Sequence, residues 1–373
     1  MDLPEHLLIE ILLRLTVKSL ILLKCVCKSW CALIESPKFI AIHLSRAKNT
    51  KRLLLKNVPC DIDETPPTFL SIHSSLESIR NFPQPDLRHL PFLDHGYFAD
   101  FVCHCNGLLY VNDVNEKYLF NPATRQVKLL PPPPCNSRRE GFLCSEVYDG
   151  LGYDPNTNDY KVVILAEYAS IMIKNHILFK ADLYSLSTDS WREVDAKFPT
   201  LAHPRFCMLF DGRMHWSGFH RAARERAVLF SFNMSSEVVE EIGIPDALLV
   251  NELVPPRLDV LRESLTLIST WFSGPGEDRI DIWMMNEYGV KESWTKIFSV
   301  GPGLGNPFIK VVWNDELLID SNFGQQLILC PLTAGHQVQK FDVFGGQETF
   351  LKIVIYKESL VSVKKTSDHP VCS

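Results

Sequence analysis

The sequence predicts a mainly β protein headed by a short helical module, and three observations carry that prediction. Apolar residues recur every three to four positions over residues 2–46. From residue 53 onward, short β-rich runs alternate with turn clusters. Within that region a strand-turn-strand unit returns at intervals near fifty residues. With 373 residues, 46% hydrophobic and 22% charged, the chain can bury one large core or two moderate ones and is too apolar for disorder.

Leu7, Leu8, Ile11, Leu12 and Leu15 form one apolar face, with Pro4 in the first turn, where a missing N–H leaves no bond unmade. A second helix over Lys18–Leu23 carries Leu20 and Leu23, and a third aligns Val26, Trp30, Leu33 and Ile34. Ser36 reads as the N-cap and Pro37 as the first residue of a fourth helix carrying Phe39, Ile40, His43 and Leu44. About forty-five residues make a marginal core alone, yet leucine and isoleucine stand on nearly every face. The surplus implies a partner, or packing against the rest of the chain.

Residues 57–95 hold Pro59, Pro66, Pro67, Pro83, Pro85 and Pro91 and read as linker and loops, with one early strand at Arg52–Val58. The acids Asp61, Asp63 and Glu64 lack the glycine turn and further ligands of a cation site and read as a solvated loop. Beyond them the repeating unit occupies Tyr118–Val127, Leu183–Trp191, Leu229–Val239, Ile282–Trp294 and Ile328–Val338, each copy preceded by further strands. Phe120, Tyr184, Phe232, Trp283 and Cys330 hold equivalent places, separated by 64, 48, 51 and 47 residues by subtraction. About four strands per roughly fifty residues is the period of kelch-like β-propeller blades. Such a ring closes by pairing its two chain ends, here Phe350–Val363 with Lys51–Val58, giving about six blades. The alternative is an open β-sandwich built from the same hairpins.

Two resemblances follow from particular residues. Leu3-Pro4-Glu5, Ile11–Leu15, Val17–Leu20, Cys25–Trp30 and Leu33-Ile34 together resemble the F-box, in order and over the whole motif. The resemblance implies docking on a Skp-type adaptor, which bridges to cullin and RING subunits. It assigns adaptor-binding positions to Leu3, Pro4, Leu15, Val17, Lys18, Ser19, Leu20, Val26 and Cys27, with Trp30 as internal packing. The family pattern has proline where Thr16 stands; threonine caps the second helix with its hydroxyl instead of fixing φ. The remaining chain resembles the plant F-box-associated interaction domain through Cys105–Leu108, Asn121–Arg125, Leu129–Pro131, Gly152–Pro155, Asp159–Val163, Leu183–Leu186 with Ser190–Arg192, and Ser293–Lys296. Within that family, Lys357-Glu358-Ser359-Leu360 and the F-box wording look most like S-locus F-box proteins, pollen factors that send non-self pistil ribonucleases for ubiquitination. The implied organisation is an F-box at 2–46, linker and first strands at 47–106, and a substrate-binding propeller at 107–364. The implied function is non-catalytic substrate recognition in an SCF-type (Skp-cullin-F-box) ubiquitin ligase; the alternatives are a generic F-box adaptor for another protein substrate and a β-propeller lectin or enzyme.

Other chemistries find little support. A net charge of -6 would repel a phosphate backbone, so no nucleic acid is expected. Leu7–Val26 is interrupted by Glu10, Arg14, Lys18 and Lys24, so no membrane span is expected. The acidic opening does not match a signal peptide. Eleven cysteines without a spaced framework read as reduced thiols, which predicts a cytoplasmic and possible nuclear location. No G-x-S-x-G, H-E-x-x-H or P-loop occurs, and no cofactor is expected. The glycine-rich Gly301–Asn306 reads as a blade connection. Cys103-His104-Cys105 has metal-ligand types, but strand alternation sends both thiols to one face and the imidazole to the other, so no metal is expected. His215, like His220, is a candidate pocket residue and otherwise a solvated or backbone-bonded loop histidine. Arg138, Arg139, His220, Arg221 and Arg224 are the substrate-binding candidates, because propellers present binding residues on loops.

Overall fold

A computed structural model describes residues 4–46, 51–59, 69–75, 78, 90–93, 100–113, 116–136, 141–173, 177–196, 201–220, 226–249, 255–271, 278–302, 304, 307–321, 326–333, 338–342 and 349–364. Four helices lead: α1 (Glu5–Leu12), α2 (Val17–Leu23), α3 (Lys28–Glu35) and α4 (Pro37–Arg46). The strands that open the β body are β1 (Lys51–Pro59) and β2 (Phe69–His73). Blade 1 is β3 (Asp100–Cys105), β4 (Leu108–Asn112), β5 (Lys117–Asn121) and β6 (Gln126–Leu129). Blade 2 is β7 (Phe142–Asp154), β8 (Asp159–Ser170), β9 (Ile177–Ser185) and β10 (Ser190–Val194). Blade 3 is β11 (Leu201–Phe210), β12 (Arg213–His220), β13 (Ala227–Asn233) and β14 (Val239–Ile242). Blade 4 is β15 (Arg257–Leu261), β16 (Ser264–Trp271), β17 (Arg279–Met285) and β18 (Trp294–Val300). Blade 5 is β19 (Phe308–Trp313), β20 (Glu316–Ser321), β21 (Gln326–Pro331) and β22 (Gln339–Asp342), and β23 (Thr349–Lys357) joins β1 and β2 in the closing blade.

The result is a six-bladed propeller. Its innermost strands β3, β7, β11, β15, β19 and β23 abut in ring order, which an open sandwich would not produce. Closure joins the chain ends: β1 and β23 pair antiparallel from Lys51↔Lys357 to Pro59↔Thr349. The expected final strand ran to Val363, but β23 stops at Lys357, because that residue pairs with the first residue of β1 and no strand continues beyond it. The stretch read as linker also supplies a strand: β2 pairs with β1 from Leu53↔His73 to Asn57↔Phe69.

Phe120, Tyr184, Phe232, Trp283 and Cys330 all lie on the third strands of their blades, β5, β9, β13, β17 and β21. The first interval is long because Pro134–Asn136 adds a 3-10 turn and because β7 and β8 run 13 and 12 residues. First-to-second-strand turns in four blades are two-residue reversals with both φ positive: Asn106-Gly107, Asp211-Gly212, Arg262-Glu263 and Asn314-Asp315. That left-handed geometry matches the twist of an antiparallel pair. Third-to-fourth-strand turns repeat another device. Asn121 and Asn233 accept two backbone N–H bonds each through Oδ1, Ser185 Oγ accepts one from Thr188, and Arg125, Asp189 and Glu237 supply the positive φ.

Candidate functional site

The helices fold around Leu12, Leu13, Val17, Leu20, Ile34 and Phe39. Thr16 caps α2 as expected, its Oγ1 accepting from Ser19 N at 3.3 Å, and Ser36 Oγ caps α4 through Phe39 N at 3.3 Å. Pro4 sits one position earlier than expected, as the N-cap of α1, where its carbonyl accepts from Leu8 N at 3.1 Å. Buried His43 bonds through Nε2 to the Leu15 carbonyl at 2.9 Å, tying α4 to the α1–α2 turn. Arg46 grips Glu10 with two bonds of 2.8 and 3.0 Å, and that contact holds the Glu10 carboxyl below its ordinary value.

Among the described residues of this module, four large apolar side chains stay exposed: Leu7 and Ile11 on α1, then Leu22 and Val26. Leu7 and Ile11 are four residues apart, the spacing that stacks side chains on one helix face, whereas Leu22 stands near the end of α2 and Val26 in the turn after it. Val26 was expected on the face of α3, but Cys27 is extended (φ -161°, ψ 163°) and α3 starts only at Lys28, so Val26 belongs to the turn before it. Cys27 is exposed; a hydrogen bond from Ser29 Oγ and the backbone N–H of Trp30 pull its thiol down. Among the positions that the resemblance assigns to the adaptor, Val17 and Leu20 lie inside the module, Leu15 and Ser19 are half-buried, and Pro4, Lys18, Val26 and Cys27 are exposed. Leu3 lies outside the described residues.

The module is fixed to the propeller by the segment after β23. Leu360 enters the helical core, and Lys357 Nζ bonds the carbonyl of Leu44. Asn121 Nδ2 donates to the Ser359 and Val361 carbonyls at 3.1 and 2.7 Å, anchoring that segment to blade 1. At Gly107 (φ 89°) a Cβ would lie 2.5 Å from the Lys357 carbonyl oxygen and closer still to Ser359 Oγ, so only glycine fits. A cleft of about 730 Å³ remains between Ile21, Ile40 and Leu44 on the helices and Asn106, Asn158 and Ser187 on the turns.

That cleft orients the ring. The helices sit on the face made by first-to-second and third-to-fourth-strand turns, so the strand ends that lead into the second-to-third-strand and blade-to-blade connections lie on the opposite face. Arg138 and Arg139 fall in the β6–β7 connection, and Arg221 and Arg224 in the β12–β13 connection; all four lie outside the described residues. His220 ends β12. His215 is in strand β12, buried, with Nε2 2.8 Å from Tyr288 Oη; burial pushes it down to about 4, so it serves the core instead of a pocket or a solvated loop. Cys103 and Cys105 both enter the core shared with blade 2, where burial raises each thiol. Among the described residues no cluster of three metal-ligating side chains occurs, and no helix is long and apolar enough to cross a membrane.

A model of the F-box domain matches residues 1–41, and a model of the F-box associated beta propeller domain matches residues 71–372. The chain belongs to the F-box-associated β-propeller family. It is 28% identical over 326 residues to F-box protein CPR1 of Arabidopsis thaliana, covering 80% of this chain and 72% of that one. It is 27% identical over 336 residues to the F-box/kelch-repeat protein At3g23880 of the same plant, covering 88% and 87%. Among solved structures, a Nidogen/Laminin complex chain aligns at 12% identity and TM-score 0.48, over 83% of this chain and 99% of that one. The F-box domain implies binding to a Skp-type adaptor within an SCF complex.

The scaffold signatures of this F-box protein have visible work. Asp154 is buried and binds Lys161 Nζ at 2.6 Å, Ser235 Oγ at 2.5 Å and Thr157 Oγ1 at 2.8 Å. Burial pushes its carboxyl up, but the ammonium and the hydroxyls outweigh burial and hold it well below the ordinary carboxylate range. Trp191 Nε1 donates to the Pro131 carbonyl at 2.8 Å, and Trp294 repeats the bond to Gly243 at 2.8 Å, each tying a fourth strand to the exit of the preceding blade.

Proposed function

We propose that the protein is the substrate-recognition subunit of an SCF-type ubiquitin ligase, with Leu7, Ile11, Leu22 and Val26 meeting the Skp-type adaptor and the far propeller face meeting the captured protein. One observation carries the reading: exposed apolar side chains sit on a helical module fixed to one face of the ring, which leaves the strand ends of the other face free of the helices. A fixed joint suits presentation of a lysine to a distant thioester, because loose tethering dilutes effective concentration. Ubiquitin transfer then belongs to other subunits. The described cysteines are all free thiols, in keeping with a reducing compartment such as cytosol or nucleus.

For the captured protein we infer a basic one, a pistil S-locus ribonuclease being the candidate that the S-locus resemblance supplies. A net charge of -6 speeds encounter with a basic partner and makes it salt-sensitive. Lys357, Ser359 and Leu360 of the Lys357–Leu360 tail all serve the joint between helices and propeller, so specificity must reside elsewhere. Copurification with a Skp-type adaptor tests the ligase reading; absence of a complex overturns it. A panel of pistil ribonucleases, assayed for salt-sensitive binding and ubiquitination with adaptor, cullin and RING subunits present, tests the substrate. If none binds or is modified, the self-incompatibility role falls and the adaptor role stands.

A further inference from the structure

Blade 2 carries an uncovered strand edge on the face away from the helices. β7 and β8 stay paired out to Phe142↔Ser170, and β8 and β9 out to Ala169↔Ile177. The outermost strand stops short: β10 pairs with β9 only from Ser185 to Ala181 and ends at Val194. Ile177–Lys180 are therefore laddered to β8 on their inner side, and among the described residues no strand pairs with their outer side. Alternate residues of an antiparallel strand direct N–H and C=O outward, so this edge holds backbone groups open to a new ladder.

Other blades close the equivalent stretch. The start of β17 is covered by β18 through Ile280↔Val300, and that of β21 by β22 through Gln326↔Asp342. Where β14 leaves the first residues of β13 uncovered, Ala227 and Val228 are buried. At the blade 2 edge Ile177, Leu178 and Phe179 are only half-buried. Beyond them Leu143, Ile171, Met172 and Ile173 are exposed, Met172 at 83%. Proteins usually guard an edge with lysine, proline or a bulge. Here the edge lysine, Lys180, is paired with Glu193 on β10.

We propose that the outer edge of β9 receives an extended apolar segment of the captured protein by β-strand addition, the guest continuing the line that β10 leaves at Val194. The inference rests on reading the propeller as the substrate-capturing body. The occupant's chemistry follows from the edge. Outward N–H and C=O groups require a main chain with the complementary pattern, which a strand offers and a helix does not. Successive guest side chains fall on opposite sheet faces, beside Leu178 on one and Ile177 and Phe179 on the other, and the chain end meets the exposed Ile171–Ile173 segment.

The test uses the full chain bound to a Skp-type adaptor and a capped peptide of alternating valine and threonine. Two further versions of the peptide are N-methylated at odd or at even amides. The expected result is slowed amide exchange at Ile177–Lys180 on adding peptide. One methylated version should bind at least about tenfold more weakly while the other binds normally, because only one set of amides faces the edge. Met172→Asp and Ile173→Asp should weaken peptide binding with the melting temperature unchanged. Equal binding by both methylated versions, or protection only elsewhere, overturns the proposal. So does a dimer that protects the same amides without peptide, which would assign the edge to a second copy. Loss of the adaptor complex with peptide protection intact would sink the ligase reading and leave the strand-addition site standing.

Discussion

Leu20 and Leu22 stand two residues apart on α2 and do opposite work: Leu20 is fully buried in the module, whereas Leu22 is 67% exposed. Leu20→Asp places an unpaired charge in a small core and should cost roughly 3 kcal/mol or more, read as a lowered melting temperature with adaptor binding lost as a consequence. Leu22→Asp and Ile11→Asp should leave melting unchanged and weaken adaptor binding by about 2 kcal/mol each, the scale of an interface anchor. If the surface variants copurify with the adaptor as the unaltered chain does, these residues are not the docking surface. Periodicity alone could not separate the two kinds of leucine, because the rule that marks an apolar face holds equally for a core and for an interface. Asp154 gives a second test at this scale. Its folded carboxyl lies below the unfolded value of 3.8, so its contribution to stability is full above that pH and is lost as pH falls through the folded value. The melting temperature of the unaltered chain should therefore drop on acidification below about pH 4, and Asp154→Asn should flatten that drop while lowering stability at neutral pH. An unchanged acid limb in the variant would remove Asp154 from the account.

At the scale of elements, the ring depends on a strand contributed from the far end of the chain. Deleting Thr349–Ser373 removes β23, exposes the inner edge of β1 and opens the contacts of β23 with β3 and β19. The truncated protein should be insoluble or cut rapidly by trypsin, and a monomeric, protease-resistant product would show that closure is dispensable. The blades were legible in the sequence because Phe120, Tyr184, Phe232, Trp283 and Cys330 mark the third strand of five successive blades. β2 was not, because Phe69–His73 is short, stands among prolines and, among the described residues, pairs only with β1. The uncovered edge of β9 was hidden for another reason. It depends on β10 being shorter than the β9 stretch beside it, and a difference in strand length leaves no mark in composition or period.

Over the whole molecule, the joint between helices and ring is built from residues that the sequence shows only as family signatures. Gly107 admits Ser359 against the β3–β4 turn, Asn121 holds the Ser359 and Val361 carbonyls, and Leu360 completes the helical core. None of these residues is among the exposed apolar side chains of the helices or on the far face of the ring. Damage to the joint should therefore separate binding from presentation. Gly107→Ala puts a Cβ where Ser359 and the Lys357 carbonyl stand, on a residue whose φ of 89° already disfavours a side chain, and should cost about 2 kcal/mol or more locally. Asn121→Ala leaves two buried carbonyls without that donor, at about 1–3 kcal/mol. In either variant the exposed Leu7, Ile11, Leu22 and Val26 are untouched, so adaptor binding should persist within a few-fold, and so should strand addition at β9. What should fall is ubiquitin transfer to a captured protein, because the tether then explores orientations that keep the target lysine away from the thioester. The measurement is a reconstituted transfer assay run beside adaptor and peptide binding on the same variants. Transfer at the unaltered rate, with binding intact and the joint shown loosened by faster amide exchange over Glu358–Val363, would mean that rigidity between the two halves is not what presentation requires.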